Sequence, residues 1–230
     1  MTVHYHGTPI TPLTVLYSLA GRHFCVSHMR PEDVERVHQI GQSVMLDNGA
    51  FSKWKSGKAT DWDAFYVWCD RWLNCPSTWA VPPDVIDAGS QEQDALLKEW
   101  PHGKRQAAPV WHMDEPLSRL LSLCEQGWNR VCIGSTAEFR DVLSESWERR
   151  MDEAWNAMAR MFGRPPPCHM LRGMQLSGMR WPFLSLDSTD IAQNHSRPQN
   201  RPSDMANRWD SSQCKIGWKI REDAQMRMFA

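Results

Sequence analysis

The chain has 230 residues, of which 23% are charged and 41% hydrophobic, and this composition excludes a disordered or fibrous protein. Its 26 Lys and Arg residues nearly balance its 27 Asp and Glu residues, so the net charge is −1. The chain as a whole therefore offers no basic field to nucleic acid, and any such partner must be held by a local patch.

Short apolar runs that end in polar or glycine residues recur along the chain and predict eight strands. In chain order these are Val3–Gly7, His23–His28, Val44–Gly49, Trp79–Asp84, Ala108–His112, Arg130–Ser135, Cys168–Arg172 and Phe183–Asp187. Amphipathic helical patterns lie between them, for example one that places Trp147, Met151, Trp155 and Met158 on a single face.

Repeated alternation of strands and helices is typical of an α/β protein with a parallel sheet. Eight such units favour closure into a compact TIM-type (β/α)8 barrel over an open doubly wound sheet. We expect the barrel to occupy residues 1–198 and a polar carboxyl-terminal segment, residues 199–230, to pack on or near it.

Carboxylates stand where three of the predicted strands end, and barrel enzymes build their sites from residues at such ends. They are Asp47, Asp84 and Asp187. Each alone has an ordinary explanation as the cap of a following helix. Turn-like or small residues follow each one, which argues against three simple caps, so we predict that the three carboxylates converge at one mouth.

Paired carboxylates at one mouth suit glycosidic chemistry. One attacks the sugar carbon and forms a covalent intermediate, while the other passes protons to and from the leaving and entering groups. A third carboxylate would be suited to accept hydrogen bonds from the N1–H and amino edge of a guanine.

Four segments, in a fixed order along the chain, carry a family resemblance. They are Asp47–Phe51 (DNGAF), Trp79–Asp87 (WAVPPDVID), Val131–Ser135 (VCIGS) and Leu184–Arg197 (LSLDSTDIAQNHSR). They resemble the Asp-Ser-Gly-Gly-aromatic motif, the base-reading strand, the glycine-rich strand end and the nucleophile segment of the queuine/archaeosine tRNA-guanine transglycosylase superfamily. With PVWHMDEP and CHMLRG, the compact chain is most similar to the phage-type branch that inserts 7-deazaguanines into DNA. The resemblance covers roughly residues 5–197.

The resemblance implies roles for the acidic residues. Asp187 would be the nucleophile that attacks C1′ and displaces guanine, and Asp47 the general acid/base that deprotonates the incoming 7-deazaguanine. Asp84 would accept hydrogen bonds from the edge of the base. Phe51 would stack on the base, with core packing as its alternative role.

Further base contacts follow from the same resemblance. Gly134 and Ser135 would offer backbone groups to the base, and His112 stands where the family often has a glutamine. A buried histidine with satisfied hydrogen bonds is the alternative for His112. Arg172 is expected either to contact phosphate or to pair with Asp187.

The zinc motif of the family's tRNA enzymes is absent from this sequence. Those enzymes bind zinc through a Cys-x-Cys-x2-Cys cluster and a later histidine, in a region that helps to hold tRNA. Here His195 and Cys214 are the only such residues after Asp187, too few for a closed tetrahedral site. We therefore expect no metal and no other cofactor, a free 7-deazaguanine base as substrate, and DNA rather than tRNA as the favoured polymer.

The carboxyl-terminal part of the chain is locally basic. Residues 194–230 contain seven Lys and Arg against four Asp and Glu, a local charge of +3. Asn194, Arg197 and Arg201 are predicted to grip the nucleic-acid backbone while the target nucleotide is extruded into the mouth. An ordinary solvated surface is the alternative.

The seven cysteines are odd in number and scattered, which favours reduced thiols in the cytoplasm. Residues 2–21 carry no charge, yet they are too polar for a membrane span and lack the charged start of a signal peptide, so no membrane partner is expected.

There are two further hypotheses for the function. One is an N-glycosidase, in which water takes the place of the incoming base, and the other is a non-catalytic nucleic-acid-binding barrel. The sequence leaves open whether the chain forms a homodimer or needs a partner subunit.

Overall fold

A computed structural model of the protein describes residues 1–57, 59–214 and 217–221. Its eight parallel strands are β1 (Val3–Gly7), β2 (His23–Ser27), β3 (Ser43–Asp47), β4 (Thr78–Ala80), β5 (Val110–His112), β6 (Val131–Gly134), β7 (Cys168–Met170) and β8 (Ser185–Ser188). The helices in these residues are α1 (Leu13–Tyr17), α2 (Val34–Ile40), α3 (Ala50–Lys55), α4 (Trp62–Trp72), α5 (Ser90–Lys98), α6 (Leu117–Glu125), α7 (Glu145–Phe162), α8 (Asp190–Asn194) and α9 (Pro202–Ser211).

The strands follow the order β4-β3-β2-β1-β8-β7-β6-β5, so each strand lies beside its neighbours in sequence. The two outer strands face each other at a seam, where Ala80, the last residue of β4, forms a parallel bridge with Ala107 in the segment before β5. There the N–H of Ala108 donates to the carbonyl of Ala80 at 2.9 Å, and the amide of Gln106 donates to the carbonyl of Thr78 at 3.0 Å. The sheet is therefore the predicted TIM-type barrel, and the doubly wound alternative, in which the strand order reverses, is wrong.

All eight predicted strands are confirmed, and the differences lie at their ends. The strand predicted to reach Asp84 ends at Ala80, because Pro82–Pro83 follow and proline has no N–H for the ladder. The strand predicted to reach Arg172 ends at Met170, and Arg172 takes the left-handed conformation with a φ of 52°. Two of the candidate residues thus stand on loops just above the barrel rather than in its wall.

Apolar side chains fill both surfaces of the sheet. Between the sheet and α7, the predicted helix face is buried, including Trp147, Met151 and Trp155. Inside the barrel a second cluster contains Tyr5, Cys25, Met45, Trp79, Val110 and Cys132. Because these side chains fill the interior, open space for a ligand is restricted to the ends of the barrel.

Helix α9 of the carboxyl-terminal segment packs at the end where the strands begin, whereas Trp218 and Arg221 contact Asn156 of α7. Met205 and Ala206 of α9 are buried, and Asp210 pairs with His4 Nδ1 at 3.3 Å and with Arg22. Residues 215–216 and 222–230 of the predicted polar segment lie outside the described residues. Among the helices that are described, none combines the length and the apolar character needed to cross a membrane.

Candidate active site

The three carboxylates predicted to converge line one cavity at the carboxyl end of the barrel. This cavity has a volume of about 240 Å³, and Asp47, Asp84 and Asp187 share its wall with Phe51 and Arg172. Its volume lies just below the range of about 300 to 1,000 Å³ typical of pockets for drug-sized molecules. The space therefore suits one small group such as a single ring system.

A larger cavity, of about 560 Å³, opens at the opposite end of the barrel. Its described wall includes Phe162, the prolines of Pro165–Pro167 and one charged side chain, Arg164. It offers no carboxylate among the described residues, and the active sites of barrel enzymes lie at the other end. The smaller, acidic cavity is therefore the candidate active site.

Asp187 is held by hydrogen bonds to one of its two oxygens. Its Oδ1 accepts from the backbone N–H of Arg172 at 2.7 Å and pairs with His169 Nε2 at 3.2 Å. The left-handed conformation of Arg172, which costs a non-glycine residue about 1 kcal/mol or more, accompanies this N–H contact with the carboxylate. Of the two outcomes predicted for Arg172, a pairing with Asp187 is present, but it is made by the backbone.

Asp47 ends β3 beside Ser27, its register partner on β2. The N–H of Gly49 donates to Asp47 Oδ2 at 3.2 Å. Burial, and next the charge of Asp187, raise the pKa of Asp47 to about 6, against the opposing effect of a hydrogen bond from Ser27. Asp47 can therefore carry or release a proton near neutral pH, as a general acid/base requires.

Asp84 is buried and uses both carboxylate oxygens. Its Oδ1 accepts from Asn48 Nδ2 at 2.7 Å, and its Oδ2 pairs with His112 Nε2 at 3.0 Å. Burial alone would lower the pKa of His112, but the hydrogen bond and charge of Asp84, together with the charges of Glu115 and Asp114, raise that pKa. His112 therefore contacts Asp84 from behind the described wall of the cavity.

Phe51 lines the cavity at the start of α3, and its ring already has a partner. The guanidinium carbon of Arg172 lies 3.6 Å from the ring centroid, and Trp54 lies beside the ring at 5.6 Å between centroids. Phe51 is thus part of an aromatic and cationic rim rather than of the core, which was its alternative role.

His112, Gly134 and Ser135, which were predicted to contact a base, are outside the described wall of the cavity. The carbonyl of Gly134 accepts from Met113 N–H at 3.0 Å, and Ser135 Oγ accepts from the indole of Trp147 at 2.8 Å. These bonds tie the end of β6 to its neighbours, so both residues support the site from outside.

The predicted nucleic-acid contacts in the carboxyl-terminal part also lie outside the described cavity wall. The amide of Asn194 donates to Asp190 at 2.8 Å, and the side chains of Arg197 and Arg201 are exposed. Of the residues assigned to nucleic acid, the structure brings Arg172 alone to the mouth.

Three polar residues around the aspartates were not among the predicted site residues. Asn48 and Ser27 bond to Asp84 and Asp47, and His169 bonds to Asp187. Strand alternation was the available signal for His169, because it puts this residue on the barrel's inner face, opposite to Cys168.

Within the described residues, no group of three or more His, Cys, Asp or Glu side chains is arranged to hold a metal ion. No protein-family model, curated protein or solved structure matches the chain.

Proposed function

We propose that the protein is a transglycosylase that exchanges guanine in a polynucleotide, DNA in the first place, for a 7-deazaguanine base. The observation that supports this proposal best is the pair formed by Asp47 and Asp187, which line one small cavity. Asp47, with a pKa of about 6, is suited to hold and pass a proton, whereas Asp187 has one oxygen fixed by two hydrogen bonds. Two carboxylates in different environments suit the two roles of a retaining glycosyl transfer.

In the first displacement, an oxygen of Asp187 forms a bond to C1′ of the target nucleotide as the bond between C1′ and N9 breaks. The electron pair of that bond leaves with guanine, which takes a proton from Asp47. The products are an aspartyl ester at C1′, neutral guanine and ionised Asp47.

In the second displacement, the incoming 7-deazaguanine gives its N9 proton to Asp47, and N9 attacks C1′. The electron pair of the ester bond returns to Asp187, so both aspartates recover their starting states. Two displacements at C1′ retain its configuration, and retaining enzymes place their two carboxyl groups about 5 Å apart. A small cavity lined by both groups agrees with that requirement.

Recognition of the base falls to Asp84 in this proposal. Each Asp84 oxygen already has one partner, but a carboxylate oxygen accepts two hydrogen bonds, which leaves capacity for the N1–H and amino group of a guanine-like edge. Phe51 and the guanidinium on its face would stack on the base, and such stacking contributes about 1–3 kcal/mol. Gly134 and Ser135 have no direct part, because they lie outside the wall of the cavity.

The choice of DNA over tRNA rests on the missing zinc motif. Arg30 and Arg172, which line the cavity, are the cations best placed to meet phosphates of an entering strand, in place of Arg197 and Arg201. We assign this activity to the cytoplasm, where scattered cysteines stay reduced.

To test the proposal, the full chain is incubated with DNA, with tRNA and with both in the presence of labelled guanine. Unlabelled 7-deazaguanine is then added to each mixture. Label that enters DNA and is chased out by 7-deazaguanine supports the proposal, and entry into tRNA alone corrects the polymer. Asp187→Asn must abolish the exchange, whereas Asp141→Asn, at an exposed carboxylate outside the cavity, must not. No exchange with either polymer, or full exchange by Asp187→Asn, overturns the proposal.

An N-glycosidase is separated from a transglycosylase by its product. Release of guanine that leaves an abasic site, with no uptake of added 7-deazaguanine, identifies water as the acceptor of the sugar. Binding of DNA without release or uptake identifies a non-catalytic barrel.

A further inference from the structure

A chain of polar side chains runs through the barrel interior beneath Asp187. His169 Nε2 lies 3.2 Å from Asp187 Oδ1, and His169 Nδ1 lies 2.8 Å from Ser185 Oγ. Ser185 Oγ in turn accepts a hydrogen bond from Arg130 Nη1 at 2.8 Å. Both His169 and Ser185 have 0% exposed surface, so water does not compete for these bonds.

The register of β7 and β8 produces this chain. His169 and Ser185 are direct partners across the two strands, and Asp187 follows Ser185 by two residues on the same inner face. One imidazole therefore reaches both side chains, with one ring nitrogen toward each. A shift of the register by one residue would point Ser185 and Asp187 to the outer face.

The donors and acceptors along the chain fix the tautomer of a neutral imidazole. A guanidinium only donates, so Ser185 Oγ accepts from Arg130 and has its own hydrogen available for His169 Nδ1. The Asp187 carboxylate only accepts, so the single proton of a neutral His169 sits on Nε2 and is donated to Asp187, which leaves Nδ1 to accept from Ser185. This arrangement satisfies every member of the chain with a neutral histidine.

Electrostatics favour the same state. Burial lowers the pKa of His169, and the charge of Arg130 lowers it further, against the opposing effect of Asp187. The ring is also held in place by Trp79, at 5.2 Å between centroids, while the Arg130 guanidinium lies 4.5 Å from the Trp79 centroid. A neutral donor, packed against Trp79, thus faces the carboxylate.

The consequence for Asp187 is a fixed orientation. Both of its described hydrogen bonds, from His169 and from the N–H of Arg172, reach Oδ1. Oδ2 is then the oxygen available for attack. A protonated histidine in the same place would form an ion pair with Asp187 and withdraw its negative charge, whereas a neutral donor orients the group without neutralising it.

We infer that His169 is a positioning residue for Asp187, held as the neutral Nε2–H tautomer by Ser185 and Arg130. The inference rests on the proposed function, because it assigns Asp187 as the nucleophile. The tautomer and charge of His169 can nevertheless be measured without any substrate, and so independently of the activity.

The first test is nitrogen-15 NMR of the full chain between pH 5.5 and pH 8, with His169 assigned by the signals that vanish in His169→Gln. Nitrogen shifts of a neutral ring protonated on Nε2 throughout this range support the inference. A ring protonated on Nδ1, or a doubly protonated ring at pH 7, overturns it whether or not the protein exchanges bases.

The second test compares His169→Gln with His169→Leu in the exchange assay. The Gln amide can replace the Nε2–H donor, whereas Leu has none. We therefore expect kcat to fall by about 10- to 100-fold in the Leu variant, the loss seen when the hydrogen-bond partner of a metal-binding side chain is removed. The Gln variant should recover most of that loss, with KM for the polynucleotide unchanged in both. His102→Gln, a partly buried histidine that does not line the cavity, serves as the matched control and should keep full activity.

The outcomes separate the two proposals. A wild-type chain that exchanges no base removes the proposed function, and the NMR result then still decides the state of His169. An active wild type with equal kcat in the folded Leu and Gln variants removes the positioning role and leaves the function standing. A Leu variant that fails to fold shifts the decision to the Gln variant and to the wild-type NMR signals.

Discussion

Asp47 and Asp187 stand on β3 and β8, separated by two strands around the barrel wall, yet they line one cavity and are electrostatically coupled. After burial, the charge of Asp187 is the strongest influence that raises the pKa of Asp47 to about 6. A carboxyl group that titrates close to neutral pH beside a second carboxylate has consequences for both rate and stability.

The rate of guanine release should depend on the protonation of Asp47. The first displacement needs Asp47 in its acid form, so kcat/KM for DNA should fall about tenfold per pH unit above pH 6. Single-turnover release of guanine, measured between pH 5 and pH 8.5, gives this decreasing limb of the pH–rate profile. Asp47→Asn should be slow and should lack the limb, and a flat profile for the wild type from pH 5.5 to pH 8 would contradict the acid role.

Asp47 should also lower the stability of the protein at neutral pH. Its pKa is 3.8 unperturbed and about 6 in the fold, so the folded state binds more protons than the unfolded state, and stability falls as pH rises through this window. At pH 7.5 the cost amounts to roughly 2 to 3 kcal/mol at about 1.4 kcal/mol per pKa unit.

Asp47→Asn is therefore expected to raise the free energy of unfolding at pH 7.5, with a much smaller gain at pH 4.5. Urea denaturation at the two pH values measures it. Asp141→Asn provides the control at an exposed carboxylate and should change stability little at either pH. If the Asp47→Asn variant is less stable than the wild type at pH 7.5, the charge of Asp47 does not destabilise the fold.

Asp84 should control the charge of His112. Because burial opposes protonation and Asp84 favours it, Asp84→Asn should lower the pKa of His112. The stability that the pair contributes is fully present below pH 6.5 and is lost as pH rises through the folded pKa of His112, so the variant should lose more stability at pH 6 than at pH 9. Proton NMR titration of His112 tests the shift, with Asp114→Asn as a control expected to move it less.

Gly49 should resist substitution more strongly than Gly57. Both have positive φ, 76° and 66°, but a Cβ on Gly49 would lie 2.8 Å from Met29 Cγ, whereas one on Gly57 would meet no atom of the described residues within 4 Å. Gly57→Ala should cost about 1–2 kcal/mol for its conformation alone, and Gly49→Ala more.

The substitution at Gly49 should also reduce base exchange, because the N–H of Gly49 holds Asp47 at 3.2 Å. Chemical denaturation and the exchange assay measure the two effects. Equal losses of stability in the two alanine variants would show that Met29 moves aside without cost.

The sequence predicted the fold and the three aspartates at one mouth for the same reason. Short apolar runs mark strands, and the carboxyl ends of parallel strands in a closed barrel all face one side. The ends of the strands were predicted less well. The apolar run of β4 continues into Pro82–Pro83, but proline has no N–H to donate to the hydrogen-bond ladder of the sheet, so the strand ends at Ala80.

The hydrogen-bond partners that hold the aspartates in place could not be predicted from the sequence. Alternation along β7 puts His169 inside the barrel, but its pairing with Ser185 depends on the register between β7 and β8, which no local pattern encodes. The same holds for Asn48, whose bond to Asp84 joins two loops at 2.7 Å. The placement of Arg197 and Arg201 away from the cavity wall likewise follows from the path of the chain after α8, not from charge.

The bond between Asp84 and His112 lies at the seam between β4 and β5. Asp84 follows one border strand and His112 ends the other, so their bond at 3.0 Å spans the join above the bridge of Ala80 with Ala107. A ligand that hydrogen-bonds to Asp84 in the closed barrel, and loses that bond when the seam between β4 and β5 opens, stabilises the closed barrel by the free energy of that bond. Ligand binding at Asp84 and closure of the seam between β4 and β5 would thus be thermodynamically linked.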